Sequence, residues 1–292
     1  MKLLVHSLRR RRGKGVPLPD RFPTLAAAGV RFRRGQIHMI TGQPGSGKSL
    51  FSLDYAVKSG VTALYFSADS DEDTVINRIG AMQLGRTTDN IESLRESPAA
   101  DMLEEVLADL SRCRLVFDTM PTLGTIEDEL MAWEEMYGPG EAPDLLVVDN
   151  LMNVVCETTG DEWQGYKHIM AALHEMARAT GTAVIILHHT TEGEGNPLEP
   201  QSRKAVMGKV NQLPEVILTV AHDPNLGTFG IGVVKNRNGR ADPTAQNPVT
   251  LRVDLPKMTL SELDRGQYVN SPQARSAIDK HWDMINGQGV SA

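Results

Sequence analysis

Gly42-Gln43-Pro44-Gly45-Ser46-Gly47-Lys48-Ser49 satisfies every constrained position of the phosphate-loop pattern G-x-x-x-x-G-K-[ST]. The glycines allow a tight turn whose backbone N–H groups converge on a phosphate, and the N-terminus of the next helix adds partial positive charge. In that arrangement Gly42, Pro44, Gly45, Ser46 and Gly47 shape the cradle and Lys48 reaches the β- and γ-phosphate oxygens. The Ser49 hydroxyl suits Mg²⁺, a hard cation that prefers oxygen ligands. The flanks agree: Gln36 to Thr41 (QIHMIT) reads as a strand, and Leu50 to Lys58 carries apolar residues at helical spacing. Strand, loop and helix thus come in the required order, which predicts a protein that binds and hydrolyses ATP with Mg²⁺.

Outward from the loop, strands and helices alternate. Val61 to Ala68 predicts a buried strand, Glu72 to Met82 a helix, Leu103 to Leu110 a short helix, and Cys113 to Asp118 a strand. Thr125 to Met136 predicts an acidic amphipathic helix, Asp144 to Asp149 a strand, Glu162 to Ala179 a long helix, and Thr182 to Leu187 another strand. That succession gives an α/β fold with a mostly parallel sheet flanked by helices. Glu215 to Ala221, Phe229 to Lys235 and Val249 to Leu255 come without long intervening helices, so the C-terminal β region extends the sheet antiparallel.

The chain has 292 residues, 40% of them hydrophobic, enough for one large core. The reading divides it into a basic N-terminal arm (1–21), an ATPase core (22–262) and a C-terminal extension (263–292) in which Ser271 to Trp282 suggests a helix. Cys113 and Cys156 lack metal-ligand spacing and read as reduced thiols. With no apolar run of membrane-spanning length and no signal peptide, a cytoplasmic protein without membrane contact is expected. Met1 to Lys14 holds six cations, including Arg9 to Arg12, and no acid; taken from a net charge of −7 they leave −13 for the rest. Such an arm is a solvated tail or a docking element for nucleic acid or a neighbouring subunit.

Two carboxylates complete the hydrolytic set. Asp149 ends the apolar strand Asp144-Leu-Leu-Val-Val-Asp149, about a hundred residues after the loop. At the end of a strand beside the loop it would hold Mg²⁺ with Ser49; otherwise it caps a turn. Asn150 is next, so the adjacent second acid of many ATPases is missing. Asp69, just past the strand Ala63-Leu-Tyr-Phe-Ser-Ala-Asp69, is the candidate to polarise the attacking water, the helix-cap role being more natural for Ser70 or Asp71.

These features together resemble the RecA-like P-loop ATPase core over roughly Phe22 to Leu255, and within it the DnaB-type and RepA-type ring helicases. Tyr65-Phe-Ser-Ala-Asp69 is similar to their strand ending in a catalytic glutamate, one methylene longer than Asp69. Leu187-His-His-Thr190 is similar to the RepA strand-end histidine motif, which implies that His189 senses the γ-phosphate rather than merely ending a strand. Val233-Val-Lys235-Asn-Arg237-Asn-Gly239 resembles the K-x-R-N-G element, with Arg240 where DnaB-type proteins often have proline. The resemblance implies an arginine finger at Arg237, assisted by Lys235, reaching the neighbouring subunit's γ-phosphate; by itself Asn-Gly reads as a hairpin turn.

A finger acting in trans implies head-to-tail assembly into a homo-oligomeric ring, a hexamer by the resemblance. Thr190 to Lys204 reads as a mobile loop at the position of the family's channel-facing DNA loop, with Arg203, Lys204 and Lys209 as contacts to single-stranded DNA. No aromatic stacking platform is legible in the sequence. The implied function is an ATP-driven DNA helicase, with replication or recombination proteins as further partners. The alternatives are a RecA/RadA-like recombination ATPase and a KaiC-like regulatory or assembly ATPase that does not bind DNA.

Overall fold

The computed structural model describes residues 15–108, 110, 112–156, 161–191, 195–208 and 210–263. The cationic stretch 1–14, Lys209 and the Ser271–Trp282 segment lie outside the described residues. The described helices are α1 (Pro23–Ala27), α2 (Lys48–Lys58), α3 (Glu72–Leu84), α4 (Thr88–Arg95), α5 (Asp101–Ala108), α6 (Leu123–Tyr137) and α7 (Glu162–Thr180). The described strands are β1 (Ile37–Gly42), β2 (Ala63–Ser67), β3 (Cys113–Phe117), β4 (Leu145–Asp149), β5 (Ala183–His189), β6 (Val216–Asp223), β7 (Thr228–Asn236), β8 (Val249–Asp254) and β9 (Thr259–Glu262).

These strands form one sheet in the order β3-β2-β4-β5-β1-β6-β7-β8-β9. The first six of that order run parallel, and β7, β8 and β9 continue it antiparallel. This is the RecA-like arrangement: a mostly parallel sheet with an antiparallel C-terminal extension. The central strands are buried on both faces because helices cover both, so they read as near-continuous apolar runs. Alternate residues feed two cores. Tyr65, Val147 and Ile185 pack with Phe51 and Leu53 of α2 on one face; Leu64, Val148 and Ile186 pack with Ile126 of α6 and Ile169 and Leu173 of α7 on the other.

Helix starts obey local capping chemistry. The Asp71 carboxylate accepts the Thr74 N–H at 2.7 Å and begins α3, so the cap falls to Asp71 and leaves Asp69 outside the helix. Thr122 and Thr125 cap α6 reciprocally, and Asp161 caps α7 through Gln164. Sequence periodicity does not single out α4, α1 or β9. Of these α4 has one buried side chain, Ile91, which leaves little amphipathic signal.

Residues 15–21, which the sequence reading assigns to the arm, belong to the packed body. Leu18 is buried and bonds its N–H to the Phe32 carbonyl, and Arg21 pairs at 2.8 Å with the fully buried Asp54. Asp54 also meets Lys58 at 3.3 Å, so its charge is not left alone in the core.

Candidate active site

The phosphate loop joins β1 to α2. Gly45 and Gly47 have φ of +73° and +90°, the left-handed region that only glycine enters at little cost. Gly47 is also crowded: a methyl group there would lie 2.7 Å from the Phe229 ring, which itself stacks on Phe51 of α2. The aromatic layer therefore holds the loop's shape from beneath.

Lys48 is buried and donates to the carbonyls of Gly42 (3.1 Å) and Gln43 (2.9 Å). Burial pulls its ammonium down to about 8, partly opposed by the charges of Asp149 and Asp69. Ser46 is buried with a hydroxyl that finds no partner among the described residues. An unpaired buried hydroxyl in the same loop as a buried ammonium suits an anionic phosphate group, which would satisfy both.

The sheet order lays the remaining residues side by side. Asp69 lies just past β2, Asp149 ends β4, His189 ends β5 and the loop leaves β1, in the spatial order β2-β4-β5-β1. One expectation is corrected here: β4 does not lie beside the loop's own strand, because β5 comes between them. Asp149 instead faces the start of α2, where the Ser49 hydroxyl pulls its carboxyl downward. The hydroxyl of Tyr65 donates to the same carboxylate at 2.9 Å and meets the Ser52 hydroxyl at 2.9 Å. Burial pushes the Asp149 carboxyl above its ordinary value, while the Ser49 and Tyr65 hydrogen bonds and Lys48 pull the other way.

Asn150 connects the two halves. Its amide nitrogen lies 3.3 Å from the Asp69 carboxylate and 3.5 Å from His189 Nε2, and His189 Nδ1 lies 3.5 Å from Lys48 Nζ. Asp69, Asn150, His189 and Lys48 therefore form a continuous polar chain. A cavity beside it is lined by Pro44, Asp69, Asn150, His189 and Thr190. The nucleotide cleft proper runs along Gly45, Gly47, Lys48 and Ser49 to Arg78, which bonds the Ser70 hydroxyl at 2.9 Å. Sequence reasoning misses Tyr65, Ser52, Asn150 and Arg78 as site residues. Of these Asn150 alone, by adjoining Asp149, carries a usable signal.

Arg237 and Lys235 lie elsewhere. The Arg237 N–H bonds the Glu215 carbonyl, and the Glu215 N–H bonds the Ile37 carbonyl, at the start of β1 rather than its end. From Ile37 to Gly42 is five residue steps, roughly 17 Å at about 3.3 Å per strand residue. Both cations face the same way: Lys235 donates to the carbonyls of Asn211 (2.9 Å) and Gln212 (2.7 Å), and Arg237 to that of Gln212 (2.9 Å). Between Ile217 and Leu218 the β6–β7 register shifts by one residue, a bulge just before Lys235. Arg237 also pairs with Glu215 at 3.1 Å while half exposed. Burial, with help from Arg237 and Arg203, lowers Lys235 to about 8.

The segment after β5 is anchored rather than free over its described part. Thr191 donates its N–H to Ala205, the Gln201 amide bonds the carbonyls of Asn196 and Glu199, and Arg203 donates its N–H to Pro243. Arg203 faces Lys235 closely enough to shift it, and Lys204 is exposed.

Residues 26–195, more than half of the chain, match AAA_25, described as an AAA domain. The chain belongs to that family. This AAA domain protein is 37% identical over 257 residues to the gene 65 protein of Mycobacterium phage L5, covering 84% of the chain and 92% of that protein. The gene 65 protein of Mycobacterium phage D29 is 35% identical over 239 residues, 77% of the chain and 99% of that protein. Among solved structures, one ATPase domain superposes with a TM-score of 0.73 at 15% identity, covering 89% of this chain and 96% of that one. A DnaB-like replicative helicase, solved with attention to its interactions with primase, gives 0.73 at 16% identity over 89% of this chain and 65% of that one. The AAA domain protein thus has the fold of the DnaB-type ATPase domain. Among the described residues no helix is long and apolar enough to cross a membrane.

Proposed function

We propose that this protein is a ring-forming motor that hydrolyses ATP between subunits and translocates on single-stranded DNA, as a DnaB-like helicase would. The observation that carries the proposal is the separation of Arg237 and Lys235 from the phosphate loop of their own subunit. Two cations held in one direction near the start of β1, at the opposite end of that strand from the loop, do not serve the site of their own subunit, which Lys48 and Arg78 line. Packed head to tail, they serve a neighbour's site instead. The likeness in fold to a DnaB-like replicative helicase supports the same reading.

In this scheme ATP is the substrate, and Mg²⁺, when bound, would offset the charge that develops on the phosphoryl group. Ser49 and Asp149 are the oxygen donors for the metal, an appropriate pair for an ion that keeps most of its waters. Tyr65 aims Asp149 by donating to it and opposes the upward push that burial gives its carboxyl. Lys48 neutralises phosphate charge in a buried setting where that interaction is strong. Asp69, held by the Asn150 amide, accepts a proton from the attacking water. His189, between Lys48 and Asn150, sits where occupancy of the site is felt at the end of β5, and β5 leads directly into the segment carrying Arg203, Lys204 and Lys209. The core from residue 22 to residue 262, with residues 15–21 packed onto it, is the working unit, and the remaining segments are extensions.

The test is the steady-state ATPase rate with and without oligo(dT), at several protein concentrations and low salt. Stimulation by DNA that steepens with protein concentration is expected. DNA-independent turnover overturns the DNA motor and favours an assembly ATPase.

A further inference from the structure

Of the two described tryptophans, Trp163 is 43% exposed and Trp133 is 3% exposed. Trp163 stands in the first turn of α7 and packs against Gly208, where a methyl group would run into the indole ring. Gly208 has φ of +69° and closes the segment that begins at Thr190. Lys167, one helical turn beyond Trp163 and on the same face, is exposed, as is Lys204 four residues before Gly208.

The inner edge of the indole continues inward as an aromatic series. Trp163 meets Tyr166 edge to face at 5.7 Å, Tyr166 meets His188 at 6.0 Å, and His188 Nε2 lies 3.0 Å from the Met207 carbonyl. Burial lowers His188 to about 4, so it stays neutral and holds Met207 without competing charge. Met207 in turn donates its N–H to the carbonyl of His189. The nearby acids are turned to the helix: Asp161 accepts the Gln164 N–H at 2.8 Å, and Glu162 accepts the Tyr166 hydroxyl at 2.5 Å.

We infer that the exposed face of Trp163 is a stacking platform for an unpaired base of single-stranded nucleic acid, with Lys167 and Lys204 placed for the adjoining phosphates. An indole face accepts any base, which suits sequence-independent tracking, and the flanking ammonium groups supply the salt-sensitive part of the affinity. Through Gly208 and Met207 the stacked base bears on the end of β5, where His189 contacts the phosphate loop lysine. Trp163 is a nucleic-acid contact in this scheme and takes no part in phosphoryl transfer. The inference rests on the proposed action on single-stranded DNA.

The test compares Trp163→Leu, which keeps apolar cover over Gly208, with Trp163→Phe, which also keeps an aromatic face, by fluorescence anisotropy of labelled dT20 with a non-hydrolysable ATP analogue. Binding by Trp163→Leu should weaken roughly 5- to 150-fold, the equivalent of about 1–3 kcal/mol for one stacked base, while Trp163→Phe stays close to the unaltered protein. The log–log salt slope should be the same in all three, because no phosphate contact is removed. Intrinsic fluorescence should fall when dT20 binds the unaltered chain and change much less in Trp163→Phe. Equal affinity of the Leu and Phe variants overturns the platform while leaving DNA binding intact. Failure of the unaltered chain to bind dT20 refutes the DNA reading and the platform with it.

Discussion

Replacing Arg237 by alanine should leave the fold in place and remove turnover, and the two effects differ enough in size to be told apart. The Arg237–Glu215 pair spans 3.1 Å with the guanidinium about half exposed, so its loss costs at most about 1 kcal/mol of stability. A guanidinium on the transferring phosphoryl group is worth about 10³–10⁵ in kcat, or roughly 4–7 kcal/mol. Because Arg237 sits near the start of β1, some five strand residues from the phosphate loop, that larger loss is expected only if a neighbour uses the side chain. The decisive assay mixes Arg237→Ala with Lys48→Ala subunits, each inactive alone. In a random equal mixture about a quarter of head-to-tail interfaces join an intact loop to an intact arginine, so ATPase activity should return towards about a quarter of the unaltered rate. No recovery, with subunit exchange shown independently by co-purification of differently tagged chains, refutes the trans site. Full activity of Arg237→Ala alone refutes the finger.

Asp69→Asn should bind ATP as the unaltered protein does and hydrolyse it about 10²–10⁴-fold more slowly; undiminished turnover would return the base role to another group. Tyr65→Phe removes the hydroxyl that donates to the buried Asp149 at 2.9 Å, an interaction of about 1.5–3 kcal/mol with a charged acceptor. Its carboxyl should rise further, the Mg²⁺ needed for half-maximal turnover should increase about tenfold or more, and the acid limb of the pH–rate profile should move to higher pH; an unchanged Mg²⁺ titration would remove Asp149 from the metal. Lys48 is lowered to about 8 in the empty site, so below that pH it meets ATP already charged and above it must gain a proton on binding. Calorimetry in buffers of different ionisation enthalpy should therefore find proton uptake at about pH 9 and little at about pH 7, with ATP affinity falling by up to about tenfold per pH unit above 8; an equal proton count at both pH values would contradict the lowered value.

Local chemistry is legible in the sequence wherever neighbouring residues dictate it. The glycines at 45 and 47 demand left-handed backbone, Lys48 and Ser49 come at fixed offsets, and the apolar runs ending at Asp149 and His189 announce strands buried on both faces. Element type and sheet class rest on side-chain periods of two and 3.6 residues, so both were available without coordinates. Tertiary structure decided whatever depends on strand order and on contacts far apart in sequence. Only the insertion of β5 between β4 and β1 places His189 within reach of both Lys48 and Asn150. Only the fold brings Tyr65 across an 84-residue separation to donate to Asp149 and oppose the upward push of burial on its carboxyl. Likewise, Trp163 reads as one apolar residue of an amphipathic helix until the fold lays it over Gly208, because a helix pattern records which face is apolar and not what covers it.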